Sequence, residues 1–211
     1  MDLSRLSDID WNSLEHAYGE ASDVPDLLRA LAEGDDDERS KALYELFGNI
    51  IHQGTVYPAT VAAIPFLSSI LESRDGDDEG VVMLLAGIAG GSGYLEVHAR
   101  HERGRRQWEE MLAEKGKRLD IQLENEAQYV SAVRDLMQER LRLLVPFLVK
   151  GSPSTRQEVA YALGQYLAQS SALLSQLEEA VEQESDKSVL LQLQESARAL
   201  REGRRADFAT D

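Results

Sequence analysis

Apolar residues along this chain recur at spacings of three and four. Ala42, Leu43, Leu46, Phe47, Ile50 and Ile51 make one such set, and Ala59, Ala62, Ala63, Phe66, Leu67, Ile70 and Leu71 make the next. Each set forms a broad stripe on one face of a helix. No comparable stretch alternates with period two, so the pattern predicts an all-α chain with strand content near zero. Punctuation fits. Gly19 ends a first, capping helix over about 8–19, Asp23 caps the next ahead of Pro25, and Gly34 closes it. The acidic run Asp35–Asp36–Asp37 then starts a helix with negative charge at the positive end of its dipole. Gly54 ends the helix holding Ile50 and Ile51, and Pro58 suits the first turn of its successor.

Three segments share a pattern: VPDLLRAL from Val24, IPFLSSIL from Ile64 and VPFLVKG from Val145. They stand 40 and 81 residues apart, close to one and two units of the roughly 40-residue helix-pair period of HEAT and armadillo arrays. Each is followed by an acidic or polar turn and a second helical segment: ERSKALYELFGNI, EGVVMLLAGIAG and TRQEVAYALGQYL. A weaker fourth pair carries Leu173, Leu174 and Leu177, then Val189, Leu190 and Leu193. Pro65 and Pro146 lie inside apolar helical segments, where proline kinks the axis. The repeats fall at about 23–54, 56–93, 125–168 and 170–202. Residues 94–124 interrupt the series as a helical insert or an elaborated repeat, the irregular stretch reaching to about 128. Within it the pattern predicts a helix over Arg105–Lys115, followed by a long one over Asn125–Val149.

The chain resembles HEAT-repeat proteins. More narrowly, it is similar to a bacterial group with a Trp-x-x-Leu-x-His-Ala-Tyr-Gly start, here WNSLEHAYG from Trp11, and a His-Gln-Gly-Thr-Val-Tyr-x-Ala-Thr corner, here His52 to Thr60. VAYALGQYL from Val159 fits the group's second-helix pattern. The resemblance implies a single short α-solenoid over the whole chain. Some bacterial proteins of HEAT type neutralise toxins, so it also points toward an immunity role.

Charge narrows the partner. The 211 residues carry a net −16, and Met1–Gly93 hold 5 Lys and Arg against 18 Asp and Glu, a balance of −13. Phosphate binding needs cationic surface, which argues against nucleic acid. An acidic surface favours a basic protein partner and speeds its association. No apolar run nears the ~20 residues of a membrane span, and MDLSRLSDIDW has no apolar signal core, so neither a membrane nor secretion is expected. The absence of cysteine rules out disulfides, thiolate metal sites and a cysteine nucleophile, and it agrees with a cytoplasmic protein.

Candidate chemistry concentrates at His52–Gln53–Gly54–Thr55–Val56–Tyr57. One reading is a polar pocket with His52 as base or ligand and Tyr57 as donor, joined by Glu15, His16 and Tyr18 in a concave groove. The other is a structural corner: His52 and Gln53 satisfy orphan carbonyls at a helix end, Gly54 turns left-handed and Thr55 helps start the next helix. Asp75, Asp77, Glu79 and Gly80 match the first half of a calcium loop, but Ala86 stands where its bidentate glutamate belongs. His98 and His101 have no evident third ligand. Neither a metal nor a cofactor is expected. The expected function is non-enzymatic: an interaction module, most concretely an immunity protein holding a basic toxin through Asp35, Asp36, Asp37, Asp77 and Asp78, with Trp108 as a possible anchor or as the pin of the insert. An enzyme or small-molecule-binding protein using the groove near His16 and His52, and an assembly adaptor, are the alternatives.

Overall fold

A computed structural model describes residues 3–74, 76 and 78–209. It is mostly helical, with α1 (Val24–Glu33), α2 (Asp36–Asn49), α3 (Pro58–Ser73), α4 (Glu79–Gly90), α5 (Tyr94–His98) and α6 (Glu102–Glu114). There follow α7 (Leu119–Gln138), α8 (Leu141–Leu144), α9 (Pro153–Leu163), α10 (Ser170–Gln183) and α11 (Lys187–Arg201). The strands are four two-residue pieces that form two antiparallel hairpins, β1 (Glu15–His16) with β2 (Gly19–Glu20), and β3 (Ile51–His52) with β4 (Thr55–Val56). Among the described residues no helix is long and apolar enough to cross a membrane.

The chain divides into two compact units: Leu3–Ile64 with Gly91–Leu136, and Pro65–Gly90 with residues 137–209. In the first unit α1 packs on α2. Helix α1 buries Val24, Leu28 and Leu31, while α2 buries Ala42 and Leu46. Leu112 of α6 meets Ala99 and Leu119 in a small apolar cluster, lined by Leu95, Trp108 and Leu123. In the second unit α9 packs against both α4 and α11, and α11 also against α10.

Side-chain caps hold the second unit's helix starts. Ser152 accepts from the Thr155 amide at 3.3 Å to begin α9, with Pro153 in the first turn. Asp186 accepts from the Ser188 and Val189 amides to begin α11. Glu79 reaches from α4 to the Ser152 amide at 2.7 Å and to the Thr155 hydroxyl. Those bonds hold its carboxyl below the usual range. Arg156 forks onto Glu184 at 2.7 and 3.0 Å, a bidentate pair in which the carboxylate is buried.

Three sequence expectations change. Residues 8–19 are not an α-helix but a 3-10 turn at Trp11–Ser13 and the first hairpin, following a 3-10 turn at Ser4–Asp8. The buried Trp11 indole donates to the Leu6 carbonyl at 2.9 Å, and the Ala17 amide donates to the Asn49 carbonyl at 3.0 Å. Tertiary partners have therefore taken backbone groups a helix would use. The helix expected over Asn125–Val149 begins earlier, at Leu119, and stops at Gln138. Beyond it, Val145–Leu148 tightens into a 3-10 turn around Pro146, which lacks an amide hydrogen and crowds the preceding carbonyls. Pro65, by contrast, sits exposed within a continuous α3.

The last described residues, 204–209, have no regular secondary structure, and Gly203 (φ 68°) turns the chain out of α11. The Ala206 amide donates to the Gly164 carbonyl at 3.1 Å, and Gln165 Nε2 donates to the Ala206 carbonyl at 2.9 Å. Gln192, fully buried on α11, donates through Nε2 to the Asp207 carbonyl at 3.0 Å and accepts from the Ala209 amide at 2.7 Å.

Candidate functional site

The sequence singles out two histidines, and the first unit places one on each hairpin. His16 is buried. Its Nδ1 accepts from the Tyr18 amide at 3.0 Å, so the ring hydrogen lies on Nε2 and is donated to Asp23 Oδ1, also at 3.0 Å. Asp23 Oδ2 in turn accepts from Asn49 Nδ2 at 2.6 Å. Asp23 thus stands at the start of α1 but does not cap it through its side chain. It instead ties the first hairpin to the end of α2. Both His16 nitrogens are committed to the fold, which leaves no lone pair for a substrate proton.

His52 is half-buried on β3, with its Nδ1 3.3 Å from the Tyr18 hydroxyl and the two rings in an edge arrangement at 5.4 Å. Its Nε2 has no hydrogen-bond partner among the described residues. Tyr18 is 69% exposed. Gln53 (φ 51°) and Gly54 (φ 78°) are the two loop residues between β3 and β4, and both adopt the left-handed conformation that a tight primed turn demands. The hairpin therefore directs His52 and Gln53 away from the helix end they were expected to cap. Threonines satisfy the carbonyls instead. Thr60 donates to the Ile50 carbonyl, and Thr55 donates to the His52 carbonyl at 2.7 Å. Thr60 also accepts from the Tyr57 amide at 2.8 Å.

Because the Thr55 hydrogen goes to His52, the Tyr57 hydroxyl is the donor in its 2.7 Å contact with Thr55 Oγ1. Burial pushes the Tyr57 phenol up, against the opposing effect of the Thr55 hydrogen bond. Burial pushes Tyr129 up further, and the neighbouring Glu126 carboxylate adds to it. Both phenols are held as proton donors rather than as bases. The glycine-rich segment after α4 is clipped to the same corner: the Ser92 amide donates to the Gly54 carbonyl and the Val56 amide to the Ser92 carbonyl, both at 3.0 Å. Beside it the buried Glu126 caps α5, accepting from the Leu95 and Glu96 amides at 2.8 and 2.7 Å, with the Tyr129 hydroxyl at 3.2 Å. A Cβ on Gly93 would lie 2.1 Å from that carboxylate, so the approach requires glycine. Neither Ser92 nor Glu126 stood out in the sequence as part of this corner.

The acidic candidates divide. Asp35 caps α2, accepting from the Asp37 and Glu38 amides at 3.1 and 2.9 Å, while Glu38 accepts in return from the Asp35 amide at 3.0 Å. Asp36 and Asp37 are exposed in the first turn, with no ion-pair partner among the described residues. Asp78 accepts from the Val81 amide at 3.1 Å and lies 3.9 Å from Arg74. Asp75 and Asp77 lie outside the described residues. Trp108 is half-buried in the apolar cluster and meets Tyr94 edge-on at 5.5 Å, contacts that lie within residues 94–124 themselves. His98 packs on the same Tyr94 ring at 4.3 Å. Among the described residues no three His, Asp or Glu side chains converge on a point where a metal would sit.

The site residues thus form a hydrogen-bonded corner, with Tyr18, His52 and Gln53 on its outer side and an acidic helix start elsewhere in the same unit. Compared with protein-family models, curated proteins and solved structures, the chain matches none of them.

Proposed function

We propose that this chain is a non-enzymatic binding module, a short α-solenoid of HEAT type that holds a basic protein against the acidic surface of residues 3–64. A bacterial immunity protein covering a basic toxin is its most concrete form, and an assembly adaptor would use the same surface. The carrying observation is the state of that surface. Asp36 and Asp37 stand exposed without ion-pair partners among the described residues, and the segment also presents Tyr44, 80% exposed, and Tyr18, 69% exposed. Unneutralised carboxylates raise the encounter rate with a cationic partner. Tyrosine supplies contact area at low entropic cost, and it is enriched where interfaces concentrate their energy.

The enzymatic alternative draws less support. His16 has spent both ring nitrogens, Thr55 has spent its hydroxyl, and the open imidazole nitrogen of this corner, on His52, belongs to a ring whose side-chain hydrogen-bond partner among the described residues is Tyr18 alone. The test compares wild type with Asp36→Lys/Asp37→Lys, which leaves the Asp35 cap in place. Each is used to capture proteins from lysate of the source cells at low and at high salt. A basic protein held by wild type at low salt, and released by salt or by charge reversal, supports the module. Capture that is indifferent to both would sink the electrostatic reading.

A further inference from the structure

The segment 204–209, which has no regular secondary structure, is held through its backbone. Six of its backbone groups are paired outside it: the Arg204 amide with the Ala199 carbonyl at 3.0 Å, the Ala209 carbonyl with Gln157 Nε2 at 3.5 Å, and four more. The Ala206 amide and carbonyl go to Gly164 and Gln165, and the Asp207 carbonyl and Ala209 amide go to the single side chain of Gln192. The carbonyl of one residue and the amide of the residue two further on face the same side of an extended chain. One side-chain amide therefore pairs with both, as the N–H and C=O of a single residue in a neighbouring parallel strand would. Gln192 is fixed for this task, being fully buried with Nε2 also bonded to Ser196 Oγ at 3.2 Å.

Main-chain hydrogen bonds of this kind give affinity for any extended chain, and side-chain contacts then select the sequence. Three contacts select here. Ala206 lies against Gly164, where an added Cβ would come within 2.6 Å of the Ala206 Cβ, so the position admits only a small residue. Phe208 meets the Tyr161 ring edge-on at 5.3 Å, yet is still 46% exposed. Arg204 places Nη1 2.8 Å from Oε1 of the buried Glu195, which Arg198 also contacts. Burial pushes the Glu195 carboxyl up, but the Arg204 and Arg198 guanidiniums outweigh it and hold the group below its usual range. Beside this segment lies an open surface pocket of about 400 Å³, lined by Leu191, Gln194, Glu195, Arg198, Asp207 and Ala209.

We propose that the groove between α9 and α11 is a binding site for an extended peptide of the pattern Arg-x-Ala-x-Phe, presented by a partner protein, and that the chain's own residues 204–209 occupy it as a displaceable placeholder. The inference is independent of the acidic surface, which belongs to the other unit. Tethering by Glu202 and Gly203 gives the tail a high effective concentration, so an outside peptide must compete with it. The reading of backbone by Gln192 and Gln165 supplies the affinity, and Gly164, Tyr161 and Glu195 supply the selection.

The test uses the full chain carrying Ala206→Trp, which evicts the tail from the Gly164 contact, and a fluorescent peptide of residues 202–211 with the native sequence. Circular dichroism checks that the fold is retained. The peptide is expected to bind this variant saturably and to bind wild type at least about tenfold more weakly, because the tethered tail competes. Adding Gln192→Ala to the variant should weaken the peptide by about tenfold or more through loss of two hydrogen bonds. A peptide that itself carries tryptophan at the Ala206 position should not bind. A folded variant that shows no binding at about millimolar peptide, a concentration at which even weak sites fill, overturns the proposal. Elution of wild type as a dimer that Ala206→Trp converts to monomer also overturns it, in favour of tail exchange between copies. If Ala206→Trp costs the fold, excess unlabelled peptide is added to wild type instead. Faster hydrogen exchange at the Ala206 and Ala209 amides then supports the proposal, and unchanged protection refutes it.

Discussion

The two hairpins of the first unit are built alike and used differently. Each joins two-residue strands through a two-residue loop, and each carries a histidine on its first strand. In the first hairpin the imidazole turns inward and both nitrogens are spent, on Tyr18 and Asp23. In the second it stays half-buried, one nitrogen facing the Tyr18 hydroxyl and the other unclaimed among the described residues. The same residue type on the same motif is a structural clamp in one place and an open hydrogen-bonding group in the other. The neighbours decide. Asp23 and Asn49 lie within reach of His16, and no described carboxylate bonds to His52.

Substitution should separate the two. His16→Ala removes a partner from the part-buried Asp23 carboxylate and from the Tyr18 amide, and urea unfolding should show a loss of about 2–3 kcal/mol, the scale for losing a hydrogen bond to a charged group with a further unsatisfied amide. Next in size is Thr55→Val, which removes the hydroxyl that joins the His52 carbonyl to Tyr57. A loss of about 1–2 kcal/mol is expected, and a loss as large as that of His16→Ala would make the second hairpin the stronger clamp. Gln53→Gly should stabilise by about 0.5–1 kcal/mol, since glycine adopts the left-handed conformation without the cost that a side chain meets there. His52→Ala should change stability by no more than about 0.5 kcal/mol, since the half-buried ring makes one long hydrogen bond, to the hydroxyl of an exposed tyrosine. Partner capture by that variant shows whether the open imidazole contributes to binding.

The smallest effect is set by pH. The Tyr57 and Tyr129 phenols titrate higher in the fold than in the unfolded chain, so the stability linked to their shifts is fully present below about pH 10. It is lost as pH rises through the higher folded values. Unfolding midpoints measured between pH 7 and 9 should therefore show no change with pH from these two groups, and a decline across that range assignable to them would contradict the burial described.

Much of the helical framework was legible in the sequence. The spacing of Ala42, Leu46 and Ile50 and the run from Ala59 to Leu71 specify helices because burial on one face needs that period, and α2 and α3 follow it closely. The hairpins were not legible, because strands of two residues are too short to alternate. Their one local signal was Gln53–Gly54, a loop of two with glycine second. Corner roles were misassigned among neighbours for a related reason. Either His52 or Thr55 could have met an orphan carbonyl, and only the turn's geometry chooses between them. The tail was missed because backbone hydrogen bonds leave no mark on composition. Gly164, at the close approach to Ala206, reads in the sequence as an ordinary helix end.

The order in which the two units draw on the chain bears on how the protein is made. The first takes residues 3–64 and then 91–136, and the second takes 65–90 and then 137–209. During synthesis, α1 and α2 emerge early but must wait for Glu126 before the α5 cap and the Gly93 contact can form. Helix α4 likewise waits for α9. Domains contiguous in sequence can fold one after another as they leave the ribosome. Here the segments interleave, so the first unit cannot close until about two-thirds of the chain exists. A cut in the middle of this polypeptide would separate residues 3–64 from Glu126 and the rest of α7, which complete their unit.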